Sequence, residues 1–149
     1  MEFLIEIPEL SAFVERLRQA PTIAAPILQR TLSASQAILA KYTTRNTVPW
    51  RTGFLVQTFS ALLETGKLHW YPTASYARFV EFGTAPHRIE PKDKQALYWP
   101  GAAHPVRSVQ HPGTRANPFM ERIIEAATPD ISATFGIALQ QIVAAIAAQ

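Results

Sequence analysis

Six side chains able to do metal or acid–base chemistry fall within residues 81–111: Glu81, His87, Glu90, Asp93, His104 and His111. Three histidines with a carboxylate are the ligand types of a zinc or iron centre, and three carboxylates are those of a two-metal nuclease. Such a centre needs at least one tight ligand pair on a fixed element. Here the histidines are separated by seventeen and seven residues in a proline-rich stretch, so neither a metal nor a cofactor is expected. The chain also lacks cysteine, a serine nucleophile elbow and a glycine-rich phosphate loop, and the expectation is a protein without catalytic activity.

Glu81 sits in "YARFVEFGTAPH", between Val80 and Phe82 and two residues before a Gly-Thr turn. A carboxylate on a mostly apolar turn is costly unless it is hydrogen-bonded. Thr84, His87, Arg88 and the backbone donors at Gly83 lie just downstream, so Glu81 is expected to tie a helical turn to the strand after it. Tyr76, Val80, Glu81, Phe82, Gly83 and Thr84 then form a structural corner that fixes the root of the next segment.

The elements that must hold this corner follow from composition and periodicity. The 149 residues, 48% of them hydrophobic, suffice for one core burying about 68–70% of the unfolded chain's surface, and a single domain is expected. No run approaches the ~18–20 uninterrupted apolar residues of a membrane span, and the acidic N-terminus is unlike a signal peptide; the expectation is a soluble protein without membrane contact, made in a reducing cytoplasm. The net charge of +3 is uneven: residues 41–122 hold eleven Lys and Arg against five acids, which is either a solvated face or a surface for phosphates.

The class expected is α+β, a small antiparallel sheet packed against a long N-terminal helix, with C-terminal helices and a long extended loop. Residues 1–44 read as a short strand at 3–7, a helix from Pro8 with Leu10, Phe13, Val14 and Leu17 at helical spacing, a break at Pro21, and a second helix over 22–44. In that second helix Ile23, Ile27, Thr31, Ala34, Ile38 and Tyr42 make one stripe, with Leu28, Leu32 and Leu39 beside it; Pro26 fits only its first turn. Residues 45–116 carry the sheet and the loop. "TFSALLETGKLHWYPT" reads as a hairpin turning at Thr65 and Gly66, "SYARFVEF" as a helical turn stopped by Gly83, and "HRIEP", "ALYWP" and "PVRSVQ" as edge strands. Residues 117–149 read as two helices, starting at Asn117-Pro118 and Thr128-Pro129, the second burying Ile131, Phe135, Leu139, Ile142 and Ile146.

Residues 84–116 are long for a connection inside a compact domain, and they mix Arg88, Lys92, Lys94, Arg107 and Arg115 with Tyr98 and Trp99. Arginine with exposed aromatics is the chemistry of interface anchors, so these residues are read as an assembly loop that orders against neighbours. The competing reading is a nucleic-acid-binding or nuclease-like protein using the same basic segment.

Taken as an ordered pair, "YARFVEFGTAPH" and "VRSVQHPGTRANPF", preceded by Thr52, Gly53 and Leu55 and a hairpin, resemble the tail-completion or neck proteins of tailed bacteriophages. The likeness spans about residues 45–125, and the run into the His-Pro-Gly-Thr turn is longer than the family's pattern by "SVQ". It implies a virion protein, assembled in the bacterial host cytoplasm, that forms a ring of six-fold order. Its partners would be a head-side connector or stopper and a tail-terminator or tail-tube protein, with weak contact to DNA in the lumen. His111, Pro112, Gly113, Pro118 and Phe119 would be its C-terminal turn.

Overall fold

A computed structural model describes residues 8–148, a mixed helix-and-strand protein of α+β type. The strand expected at 3–7, and the side chains of Leu10, Phe13, Val14 and Leu17, lie outside what is described. Two long helices dominate: α1 (Pro8–Tyr42) and α4 (Phe119–Ala147). Between them come α2 (Phe54–Gln57), the hairpin β1 (Phe59–Glu64) and β2 (Lys67–Pro72), α3 (Ala77–Phe82), and the pair β3 (His87–Ile89) and β4 (Val109–His111).

The break expected at Pro21 does not occur, and Pro26 lies deep inside α1 rather than in a first turn. A proline ring already holds a helical φ; its cost is one lost backbone bond and a clash with the carbonyl four residues back. That cost is local, whereas α1 packs lengthwise on α4. Likewise Pro129 does not start a new helix: α4 runs through it, and Thr128, expected as a cap, donates its hydroxyl to the Ile124 carbonyl at 2.7 Å instead.

Polar residues on the α1 face toward α4 satisfy themselves in the same way. Thr31 and Ser35 are buried, and their hydroxyls donate to the carbonyls of Ile27 and Thr31 at 2.8 and 2.9 Å. Bonding back to the preceding turn lets a hydroxyl enter an interface without losing a partner. At the other end Asp130 accepts from Lys41 Nζ and Tyr42 Oη, each at 3.0 Å. The hydrogen bond from Lys41, then that from Tyr42, holds the Asp130 carboxyl below the usual range, and Asp130 in turn raises the Lys41 ammonium.

The core gathers where the hairpin meets both helices: Leu39, Val48, Leu55, Ala77, Phe119, Ile123 and Ala127. The hairpin forms with the expected turn, pairing Ala61 with Trp70 and Leu63 with Leu68. Phe59 stacks on Trp70 at 5.6 Å and meets the Phe119 ring edge-on at 6.2 Å, while Trp70 Nε1 donates to Thr43 Oγ1 at 3.2 Å. The expected buried stripe of the last helix is displaced: Phe135 and Leu139 are exposed, Ile131, Ile142 and Ile146 are half-buried, and Ala138 is the residue turned inward. Small side chains there let the two helix backbones approach.

Candidate assembly surface

α3 has only six residues and therefore one inward face. Spacing of three and four puts Ala77, Val80 and Glu81 on it. Ala77 is buried and Val80 and Glu81 are half-buried, but Tyr76, Phe79 and Phe82 point out, Phe82 being 80% exposed. The aromatics of the corner thus lie outside the core cluster.

Glu81 is held as a structural group, but not to the strand after it. Its Oε2 accepts the backbone N–H of Met120 at 3.0 Å, across 39 residues of sequence. Met120 is in the first turn of α4, where N–H groups lack intrahelical partners and the helix dipole favours an anion. Val80 contributes its carbonyl to Asn117 N–H at 2.9 Å, so α3 fixes the entry into α4 twice. Asn117 is not the cap: its side chain accepts from Arg122, whose Nε donates to the Thr47 carbonyl at 3.0 Å, and Pro118 precedes the helix. Glu81→Gln is expected to keep most of the stability, and Glu81→Ala to lose about 1–2 kcal/mol, read as a shift in urea midpoint. Equal midpoints for Glu81→Ala and the parent would remove this role.

The two motif halves meet directly. Thr84 and Thr114 exchange backbone bonds at 2.9 and 3.1 Å, and Thr114 N–H also lies 3.0 Å from Thr84 Oγ1. Gly83 (φ 71°, ψ −172°) and Gly113 (φ 89°) flank this bridge. A Cβ at Gly83 would collide with the Thr114 carbonyl oxygen, and one at Gly113 with that of Thr84. The Phe-Gly-Thr and Pro-Gly-Thr turns are therefore two sides of one close backbone contact.

Beyond that contact the segment read as an open loop is a paired arm. β3 and β4 are antiparallel, joining His87 to His111, Arg88 to Gln110 and Ile89 to Val109, with a further bridge from Leu97 to Val106. The "SVQ" extension supplies Val109 and Gln110 of β4. Arg88, Lys92, Lys94, Arg107 and Arg115 are all exposed along the arm, as are Tyr98 and Trp99; Arg88 Nε sits 3.0 Å from Glu90 Oε1.

Sequence spacing gave no sign of the His87–His111 pair, whose rings stack at 5.0 Å. The backbone turns fix both rings: Nδ1 of His87 is 2.9 Å from the Ala85 carbonyl oxygen, and Nδ1 of His111 accepts Gly113 N–H at 3.0 Å. His104, Glu90 and Asp93 do not join them, and among the described residues no three His, Asp or Glu side chains gather as a metal site. Pro112, exposed beside this pair, shapes the same turn, whereas Phe119 belongs to the core.

A second surface also escaped the sequence reading. Trp50, Arg51, Thr52, Phe54, Tyr76 and Val80 line an open cleft of about 560 Å³, with the Phe54 and Tyr76 rings 6.5 Å apart. The Arg45 guanidinium lies 5.9 Å from the Trp50 ring. Arginine and aromatics around Thr52-Gly53 were the available signal. The arm and this cleft offer anchors of the kind that protein interfaces favour. Neither family models, curated proteins nor solved structures yield a match to the chain.

Proposed function

We propose that this chain is a structural subunit of a tailed-bacteriophage virion, closing a ring in the neck between a head-side connector or stopper and a tail-terminator or tail-tube protein. The observation that carries the reading is the joining of the two motif halves: Thr84 and Thr114 form the root of an arm that presents Tyr98, Trp99 and four basic residues to solvent, with Arg115 just past the root. A rigid root with exposed anchors suits head-to-tail contact, in which each subunit offers one patch to the next and a closing rotation leaves none unused. Six-fold order comes from the family likeness alone. The basic side chains suit weak, salt-screened contact with passing DNA.

The experiment is to raise particles and ask whether the chain is present at ring stoichiometry by quantitative mass spectrometry. Hydrogen exchange should then show residues 90–105 of the arm exchanging fast in the free subunit and slowly in particles. Trp99→Ala is expected to change free-subunit stability by no more than about 0.5 kcal/mol, because the residue is 46% exposed and outside the core cluster, yet to reduce incorporation markedly. Absence from particles, together with salt-sensitive DNA binding or cleavage by the purified chain, would replace this reading with the nucleic-acid one.

A further inference from the structure

We infer that the outward apolar stripe of α4 is a self-association surface whose occupant is a second copy of this chain. The inference rests on the ring reading above and adds to it the face through which subunits meet. Residues 131–149 contain no charged side chain. In this half of α4 the inward row is Ile131, Thr134, Ala138, Ile142 and Ile146, of which only Ala138 is fully buried, and Thr134 and Ala138 share a groove with Ile27 and Thr31 of α1. A second bulky row lies outside: Ile124, Phe135, Leu139 and Val143 recur at eleven, four and four residues, so they share one face, and Leu139 is 62% exposed. The helix is therefore apolar on its outside as well as its inside, unlike a helix that finds its whole core within one chain.

The surface area is in keeping. The chain exposes 11,373 Å², whereas a compact monomer of 16.5 kDa exposes about 7,600 Å². The excess of about 3,800 Å² falls in the range that a subunit with two obligate neighbours hides, about 1,000–2,500 Å² on each side.

The chemistry of the stripe selects its occupant. Without charge it offers nothing to nucleic acid or to a charged peptide. α4 is long and apolar enough to cross a membrane by length and composition. Its other exposed face carries Gln140 and Gln141, however, and α1 beside it exposes Gln29, Arg30 and Ser33. A bilayer would have to desolvate those groups, while a neighbouring copy of the chain needs to cover only the stripe.

The test is the double variant Leu139→Glu/Val143→Glu of the full chain, compared with the parent by light scattering, thermal unfolding and flotation with phosphatidylglycerol/phosphatidylethanolamine vesicles. The expected result is an oligomeric parent that does not float, and a monomeric variant that melts at the parent's temperature. A variant that still assembles overturns the inference but leaves the ring reading standing. A monomeric parent overturns it too, in favour of lipid if it floats, and the ring reading is then judged separately by abundance in particles. Should the double variant unfold, Leu139→Cys, the chain's only thiol, decides: maleimide labelling must be blocked in the oligomer and restored on dilution, and labelling at equal rates in both overturns the proposal.

Discussion

Gly83→Ala and Gly113→Ala are each expected to lower the melting temperature by roughly 6–12 °C, a loss of about 3 kcal/mol, and to detach the arm from the corner. Two penalties act together. Gly83 has φ 71° and ψ −172°, a region that essentially only glycine enters. Its added Cβ would also stand 2.7 Å from the Ala116 nitrogen and closer still to the Thr114 carbonyl oxygen. These are backbone atoms, so no rotamer change relieves the contact; the Thr84–Thr114 bridge must open. Gly66 provides the control. It too has positive φ, 76°, in the hairpin turn, but a Cβ there meets nothing within 4 Å. Gly66→Ala should therefore cost only the conformational strain, about 1 kcal/mol. Thermal unfolding of the three variants, with amide shifts of Thr84 and Thr114, separates strain from collision. If Gly83→Ala melts no lower than Gly66→Ala, the two turns do not depend on close approach.

Phe119→Ala is expected to cost about 3–5 kcal/mol, a large share of the roughly 5–15 kcal/mol that holds a domain together. The side chain is 1% exposed, and beside it in the core stand Ile123 and Val48, both fully buried. Phe59 meets its edge, linking the hairpin to the first turn of α4. Truncation leaves a cavity at the point where hairpin, α3 and both long helices converge. Phe82→Ala, close before the Thr84 bridge but turned to solvent, should leave the midpoint within about 0.5 kcal/mol of the parent. Urea titration of both variants checks this, with unchanged slope required for a two-state comparison. A loss at Phe119 smaller than about 1 kcal/mol would mean that the core lies elsewhere.

These two predictions divide along the line between what the residue string encodes and what packing chooses. The hairpin was legible because everything that makes it is local: Thr65 and Gly66 set the turn, and the turn sets the register that pairs Ala61 with Trp70. The stop of α3 at Gly83 and the helical character of residues 22–42 were legible for the same reason. The arm was only half legible. Its strands were visible as short runs, but their mutual pairing joins segments far apart in the chain, and nothing in either run names the other.

Glu81 shows the same limit from the site side. That a carboxylate among apolar residues needs a donor is written in the sequence; that the donor is Met120 N–H, rather than Thr84 or Arg88 close by, depends on α3 landing against the start of α4. The prolines of α1 and α4 misled in the opposite sense, because a local helix-breaking cost is outweighed by the packing of α1 on α4. Periodicity made residues 119–147 a helix, yet it could not say which side faces in. Both flanks are apolar, and the side turned inward is the one that carries Ile123 and Ala127 into the core cluster and Ala138 toward Thr31 of α1, leaving Phe135 and Leu139 outside.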